Sequence, residues 1–298
     1  MRKPSLSAQA ILEFLKSRFG NEVTAFSPLP EGDESQAWQF VHQARPLVIR
    51  VNRTRAGFEK DAFAYQKFAH SRLPIPEVID IGQIDDFFYC ISEYLPGTTL
   101  QDLCPHELPG LLEPAARVLE SIAQCDISGI TGSGLFTAQG AGDYDGWRDF
   151  LMSAADPDCC DWSSFRSEVD MRIVDCALDR VAGLALECPE IRALIHGDFG
   201  SNNVLAHGDR ISGVLDWSDA MIGDPLWDVA NIFFWRTCLD CMEQQAAYFE
   251  RHLDFRAING RMHCYQIRIG LDQIYSNLAG GNAPAALWAQ NRCRQVLS

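Results

Sequence analysis

A short segment rich in acidic and amide side chains carries the clearest chemistry in this chain of 298 residues. Residues 196–203 read His-Gly-Asp-Phe-Gly-Ser-Asn-Asn, and Asp216 follows them after the pattern of a β-hairpin. If the two strands pair about a turn at residues 207–210, Asn203 and Asp216 meet at the open end of the hairpin. A carboxylate and a carboxamide that converge suit a hard cation such as Mg²⁺. Asp198 could then accept a proton from a hydroxyl in line with a phosphate.

The chain around this segment divides into two kinds of pattern. Residues 38–93 contain short β-type runs and one amphipathic helix, at about residues 56–70. After a linker at residues 95–97, apolar residues recur at helical spacing and one strand pair interrupts them. The sequence therefore predicts an α+β protein. A small antiparallel β-sheet lobe with one helix, residues 1–95, would precede a larger, mainly helical lobe, residues 96–298, that contains the hairpin.

Composition narrows the class of protein. Twenty-five Lys and Arg against forty Asp and Glu give a formal net charge of −15, which disfavours nucleic acid and anionic membranes and favours cationic partners. No apolar run approaches the roughly 20 residues that a membrane-spanning helix needs. The eleven cysteines form no paired framework, and no secretory signal is recognisable. We expect a soluble, cytoplasmic protein with reduced thiols, and the pattern implies no protein partner.

The spacing of these motifs resembles that of the aminoglycoside phosphotransferase family, whose fold is protein-kinase-like. His196-Gly-Asp, Asn203, Asp216-Trp-Ser and Gly223-Asp-Pro-x-x-Asp228 agree with the family in order and spacing. Further segments across nearly the whole chain resemble the branch that acts on hygromycin B: 32–35, 73–78, 99–103, 147–150, 229–236 and 268–273. The resemblance implies a two-lobed kinase that uses ATP and Mg²⁺. It would phosphorylate a hydroxyl of a cationic aminoglycoside, which in that branch is the 4-hydroxyl of hygromycin B.

The resemblance also implies roles for individual residues. Asp198 would be the catalytic base, and Asn203 and Asp216 would be the metal ligands. Arg50 stands on a predicted strand where kinases usually have Lys, and Asp61 stands on the next helix where they usually have Glu. This departure changes the expected ion pair, because Arg is a planar fork and Asp is the shorter acid.

Other residues would contact the two substrates. A loop at residues 32–36, which includes Ser35, would cover the phosphates with its backbone amides. Glu93 and Leu95 of the linker would offer backbone groups to the adenine. Five aspartates against one basic residue between positions 216 and 240 would attract protonated amines. The resemblance implies four residues that bind the acceptor: Asn202, Asp219, Trp235 and Asp272.

Several alternatives remain open at this point. A kinase of the same fold could act on choline, an amino alcohol or a sugar, because a fold does not fix a substrate. A pseudokinase could bind nucleotide without turnover; the trio of Asp198, Asn203 and Asp216 argues against it, and Arg50 in place of Lys argues for it. A phosphohydrolase is disfavoured because no further His/Asp cluster is apparent upstream. We expect His196 to brace the loop from the core.

Overall fold

The computed structural model describes residues 3–30 and 35–298, and its N-terminal part is built on a five-stranded antiparallel sheet. Helix α1 (Ala8–Phe19) precedes the sheet, and α2 (Ala56–Phe68) follows its third strand. The strands lie in the order β1-β2-β3-β5-β4. Their bounds are β1 (Thr24–Pro28), β2 (Gln36–His42), β3 (Arg45–Asn52), β4 (Val78–Ile84) and β5 (Phe87–Glu93). The apolar patterns predicted α2 and the last four strands, and did not predict α1 or β1.

Alternation along β3 decides which of its side chains face the rest of the molecule. Leu47, Ile49 and Val51 are buried in a small core that includes Ile11 of α1. Successive side chains of a strand point to opposite faces, so Arg50 points away from this core. The strand thereby directs a cation toward the side of the sheet on which the C-terminal part lies.

The C-terminal part is mainly helical and surrounds one large hydrophobic core. The long helix α8 packs against three other helices of this part, α5, α6 and α9. Within the described ranges, no helix combines the length and the apolar character needed to cross a membrane. The helices are α3 (Leu112–Ala123), α4 (Trp147–Met152), α5 (Met171–Ala185), α6 (Leu226–Trp235), α7 (Asp240–His252), α8 (Phe255–Ala279) and α9 (Ala283–Leu297).

This part also contains more strands than the sequence pattern predicted, and the expectation of one strand pair is wrong. The additional strands have two to four residues, too few for an alternating pattern to stand out. They form two small sheets, of order β11-β10-β6 and β8-β7-β12-β9. The strands are β6 (Thr98–Thr99), β7 (Ser133–Phe136), β8 (Gly142–Tyr144), β9 (Ala193–Ile195), β10 (Val204–His207), β11 (Arg210–Val214) and β12 (Met221–Gly223).

The expected hairpin is present and fixes the geometry of the segment around residue 200. Strands β10 and β11 pair in antiparallel register, with Val204 opposite Val214. At the open end, the Leu215 amide donates to the Asn203 carbonyl over 2.8 Å. The two residues that the sequence analysis placed together, Asn203 and Asp216, therefore flank the same end of the hairpin.

Helix α2 connects the two parts of the molecule. Ala64 and Phe68 of α2, and Leu73 and Ile75 after it, belong to the large core of the C-terminal part. Burial of these side chains stabilises the contact by removing apolar surface from water. Because Asp61 lies on the same helix, the contact also fixes its position relative to the C-terminal loops.

Candidate active site

A cavity of about 860 Å³ lies between the sheet and the helical part of the molecule. On the sheet side, the side chains that line it are mainly apolar, such as Ala37, Val48, Ile75 and Val78. On the other side they are mainly polar or aromatic, such as Asp102, Asp198, Ser201, Asn202 and Trp235. The cavity therefore has two different surfaces. One suits a flat apolar molecule, and the other suits a polar cationic molecule.

The structure brings most of the expected site residues to this cavity. The residues that line it are Ser35, Arg50, Asp61, Glu93, Leu95, Asp198, Asn202, Asn203, Asp216 and Trp235. Three members of the expected phosphate loop, Gly32, Asp33 and Glu34, lie outside the described residues.

Two of the expected acceptor residues are not among those that line the cavity. Asp272 lies on α8 and pairs with Arg268, one turn earlier on the same helix. Asp219 lies against the catalytic loop instead: a Cβ added at Gly197 would stand 2.2 Å from the Asp219 carbonyl oxygen. The charge of Asp219 acts on Asp198. Asp272 is held by Arg268 on its own helix.

The carboxylate of Asp198 is held by its neighbours in the loop. The Asn203 side-chain amide donates to the Asp198 carbonyl oxygen at 3.0 Å and to the carboxylate Oδ2 at 2.7 Å. The backbone amide of Asp198 donates to Nδ1 of His196 at 3.3 Å. These contacts orient the carboxylate and leave its Oδ1 without a donor among the described residues.

His196 braces this loop from the core, as expected. Its side chain is fully buried, and Nε2 donates to the carbonyl oxygen of Leu215 at 2.9 Å. Burial lowers the pKa of His196 to about 4, so the ring is neutral at physiological pH. A neutral ring that donates at Nε2 can accept the Asp198 amide at Nδ1, which links the loop to the end of the hairpin.

A buried acid on α6 supports the same loop. Asp228 accepts hydrogen bonds from the backbone amides of His196 at 2.9 Å and Gly197 at 2.8 Å. Burial raises the pKa of Asp228 to about 7. Gly197 has a φ of 88°, in the left-handed region that favours glycine, so a side chain there would be strained as well as obstructed by Asp219.

The electrostatic surroundings make Asp198 an unusually weak acid. Burial, followed by the charges of Asp219 and Asp216, raises its pKa to about 7. A carboxylate with a pKa near the working pH is well suited to accept a proton from a hydroxyl.

Arg50 on β3 forms an ion pair with Asp61 on α2. An Arg50 guanidinium nitrogen donates to Oδ2 of Asp61, while Oδ1 of Asp61 accepts the Trp217 backbone amide at 2.8 Å. Burial opposes the charge of Arg50, but the attraction of Asp61 outweighs it and the pKa of Arg50 is raised. Asp61 therefore connects the Arg50 side chain on β3 to the backbone of the loop that follows Asp216.

Asp216 is held in a strained backbone conformation beside this pair. Its φ is 57°, in the left-handed region that non-glycine residues rarely adopt. Its Oδ1 accepts the Ser218 hydroxyl at 2.7 Å. Burial opposes ionisation, but Arg50 and the Ser218 hydrogen bonds outweigh it and lower the pKa of Asp216. Asp216 is therefore ionised and faces the cavity.

The linker contributes backbone groups to the cavity. The Glu93 amide donates to the Glu77 carbonyl at 2.8 Å, and the Tyr94 amide donates to the Pro46 carbonyl at 3.2 Å. In the described part of the chain, the Leu95 amide has no hydrogen-bond acceptor. This leaves the Leu95 N–H available to a planar heterocycle in the apolar part of the cavity.

The sequence analysis missed Asp102, which lines the polar side of the cavity. The Thr99 hydroxyl donates to its Oδ2 at 2.7 Å, and the Asp102 amide donates back to that hydroxyl at 3.2 Å. Asp102 belongs to the segment of residues 99–103 that contributed to the family resemblance, and this is the signal that could have identified it.

An aromatic stack forms another wall. Trp235, the last residue of α6, stacks on Trp288 of α9 with ring centroids 4.6 Å apart and an interplanar angle of 10°. The Trp235 ring nitrogen donates to Asn231 at 3.1 Å. Arg292 of α9 donates to the carbonyls of residues 233 and 234 at the end of α6, at 2.8 and 2.7 Å. Helix α9 therefore sets the position of Trp235.

Comparison with known proteins agrees with this geometry. The family model described as the phosphotransferase enzyme family (APH) matches residues 25–261. The chain is 46% identical over its full length to the hygromycin-B 4-O-kinase of Escherichia coli, of which it covers 87%.

Solved structures give the same result. The crystal structure of aminoglycoside phosphotransferase APH(4)-Ia is 46% identical, with a TM-score of 0.93 and 98% of each chain covered. A thermostable variant of APH(4)-Ia in ternary complex with AMP-PNP and hygromycin B is 47% identical, with a TM-score of 0.92, 97% of this chain covered and 98% of that one. These similarities confirm the expected protein-kinase-like fold. Together with the family match, they show that the chain belongs to the phosphotransferase enzyme family.

Proposed function

We propose that this protein is an ATP-dependent kinase that phosphorylates the 4-hydroxyl of hygromycin B. The observation that carries the proposal is the position of Asp198, a carboxylate with a raised pKa, in a cavity that is apolar on one side and acidic on the other. The similarity to a hygromycin-B 4-O-kinase over the whole chain supports the choice of acceptor. Transfer of phosphate to the antibiotic would inactivate it.

The nucleotide would occupy the side of the cavity formed by the sheet. We assign this role to a nucleotide-binding lobe of residues 1–95 and the catalytic role to a lobe of residues 96–298. The Glu93 carbonyl and the Leu95 amide would bind the adenine edge, and Ser35 and Arg50 would meet the phosphates. Arg50 suits this task because its guanidinium binds phosphate oxygens in a bidentate manner while Asp61 holds it.

The residues beside Asp198 fit a magnesium ion. The Asn203 amide nitrogen is committed to Asp198, so its carbonyl oxygen is the group that can ligate, and Asp216 adds an ionised carboxylate. Within the described ranges, no three His, Cys, Asp or Glu side chains form a metal cage. A site with few protein ligands is typical of Mg²⁺ that is also bound by substrate phosphates. When bound, the ion would neutralise phosphate charge.

The acceptor would occupy the polar side of the cavity. Asp198 would accept the proton of the attacked hydroxyl at Oδ1, the oxygen that Asn203 leaves open. Asn202, Trp235 and Asp102 line this side and would contact the acceptor. Asp219 would strengthen the negative potential from its place beside the catalytic loop, and contact of Asp272 with the acceptor stays a prediction.

A panel assay of ADP release tests the proposal. Purified protein is given ATP with hygromycin B, kanamycin, choline or a simple sugar, each with and without Mg²⁺. We expect rapid Mg²⁺-dependent turnover with hygromycin B, poor turnover with the others, and a product phosphorylated at the 4-hydroxyl by NMR. Faster turnover with choline would contradict the proposed acceptor and would favour a kinase that acts on another small molecule. Nucleotide binding without turnover of any acceptor would favour a pseudokinase.

We also propose that the protein works in the cytoplasm. All eleven cysteines are free, including Cys238 and Cys241, which are spaced as Cys-x-x-Cys, and this suits a reducing compartment. Alkylation of freshly lysed cells, followed by mass spectrometry of the tryptic peptides, tests this. Disulfide-linked peptides would contradict it.

A further inference from the structure

Lys60 is a buried cation on α2 that does not line the cavity. Lys60 directly precedes Asp61 in the sequence, and the residue is only 8% exposed. Its ammonium nitrogen donates to the Ser218 carbonyl at 2.6 Å and to the Ala220 carbonyl at 2.7 Å. Both carbonyls belong to the loop of residues 216–220, which connects β11 to β12 and begins with Asp216.

Helix α2 thus binds three backbone groups of this loop. Asp61 accepts the Trp217 amide at 2.8 Å, and Lys60 donates to the carbonyls of Ser218 and Ala220. The loop also lies close to the helix one turn earlier, where a Cβ added at Gly57 would stand 3.4 Å from Cβ of Ser218. One acid and one base, adjacent in sequence, therefore bind the loop through its donors and its acceptors.

Burial opposes the charge of Lys60. A buried ammonium group loses its hydration, and burial lowers the pKa of Lys60 to about 8. Four carboxylates around it favour its charge: Asp219, Asp143, Asp61 and Asp216. The cation therefore also offsets negative charge at the loop that holds Asp216 and Asp219.

A second lysine on α2, Lys67, allows two possible roles of Lys60 to be distinguished. Lys67 donates to the Ser128 carbonyl at 2.7 Å, so it too connects α2 to the C-terminal part, at the surface and away from the loop of residues 216–220. If Lys60 served only to hold the two parts together, loss of either lysine would have a similar effect. If Lys60 sets the loop, only its loss would alter the site.

We propose that Lys60 is a positioning residue that holds the loop of residues 216–220, and with it the Asp216 carboxylate, in the geometry that binds Mg²⁺ and ATP together. Asp216 adopts a strained φ of 57°, and such a conformation persists only where its surroundings hold it. Lys60 and Asp61 supply that constraint on the residues that follow. The inference rests on the proposed function, because it assigns a role in binding the nucleotide–metal complex.

Three variants test the proposal: Lys60→Met, which keeps the length of the side chain and removes the donors, Lys60→Gln, and the matched control Lys67→Met. ADP binding is measured by calorimetry with and without Mg²⁺, and steady-state kinetics are measured against ATP, Mg²⁺ and hygromycin B. For Lys60→Met we expect the Mg²⁺-dependent gain in ADP affinity to fall about tenfold and the Mg²⁺ requirement to rise by a similar factor. The KM for hygromycin B should change less than about twofold.

The controls keep this inference separable from folding and from the proposed function. Lys67→Met should retain the wild-type Mg²⁺ dependence, and equal effects of the two Met variants would overturn the proposal. If Lys60→Met does not fold, Lys60→Gln carries the test, and an unchanged Mg²⁺ dependence in that variant would also overturn it. The calorimetric arm needs no acceptor. It therefore remains decisive even if hygromycin B is not the substrate.

Discussion

Asp198 shows how its surroundings tune a single residue. Asn203 orients the carboxylate, while burial and two neighbouring aspartates raise its pKa to about 7. The folded protein therefore binds a proton at Asp198 more tightly than the unfolded chain, whose aspartates titrate near 4. This side chain favours folding fully below about pH 4, and that contribution is lost as the pH rises through about 7.

Replacement of Asp198 should separate activity from stability. We expect Asp198→Asn to lower kcat by about 100-fold or more, because the acceptor hydroxyl loses its base, and to leave ADP affinity nearly unchanged. The same variant should unfold at a higher temperature than wild type at pH 8, and this advantage should disappear at pH 4. Steady-state assays and thermal unfolding at the two pH values check both parts. A kcat close to that of wild type would rule out Asp198 as the base.

The sequence was most informative about residues where short-range spacing determines the position. Asn203 and Asp216 could be placed together because a hairpin connects them. Asp272 could not be placed in this way: its pair with Arg268 follows from the i, i+4 spacing on α8, but its distance from the cavity depends on how α8 packs. Lys60 gave no signal as a sequence position, since the carbonyls that it binds lie about 160 residues further along the chain.

Among the elements, α9 has the least expected connection with the site. It lies beyond the residues that the family model matches, 25–261, yet Trp288 stacks on Trp235 in the cavity wall. Offset aromatic stacks contribute about 0.5–1.5 kcal/mol beyond the area that they bury. An element outside the matched region therefore supports a residue of the cavity wall.

Removal of the stack should affect the acceptor selectively. We expect Trp288→Leu to raise the KM for hygromycin B by about five- to tenfold, because Trp235 loses its support, with the KM for ATP within about twofold of wild type. Leu287→Ala, a change at the exposed neighbour of Trp288, is the matched control and should leave both constants unchanged. Equal increases in the two KM values would indicate general damage and contradict this role of α9.

The elements also show where sequence patterns lose their information. Strands β2 to β5 have seven or eight residues, long enough for their β-type runs to be recognised. The strands of the C-terminal part are shorter than this. Their pairing is decided by tertiary contacts, such as that of β12 with β7 and β9. The catalytic hairpin was predictable because its turn and both of its strands are contiguous in sequence.

The negative charge of the whole molecule extends into the cavity. The net charge is −15, and five acids line the cavity against a single lining base within the described ranges, Arg50. The acids are Asp61, Glu93, Asp102, Asp198 and Asp216. A cleft of one sign raises the local concentration of an oppositely charged ligand, and dissolved salt screens the effect.

Ionic strength should therefore change capture of the acceptor more than turnover. We expect kcat/KM for hygromycin B to fall severalfold between about 20 and 300 mM KCl, with kcat nearly constant. Asp102→Asn should flatten the dependence on salt. Measurement of initial rates across a KCl series, with Mg²⁺ and ATP saturating, checks this. A kcat/KM that is independent of salt would show that the acids lining the cavity do not attract the acceptor.

The shared cavity has a consequence for inhibition. Its apolar and acidic sides belong to one continuous space of about 860 Å³. The proposed nucleotide and acceptor would therefore lie next to each other in it. A compound in which adenosine is joined covalently to an aminoglycoside would place both halves at once. After the first half binds, the second experiences an effective concentration in the millimolar range for a short tether. Such a compound would dissociate far more slowly than either half, and would tolerate mutations that weaken only one of the two surfaces.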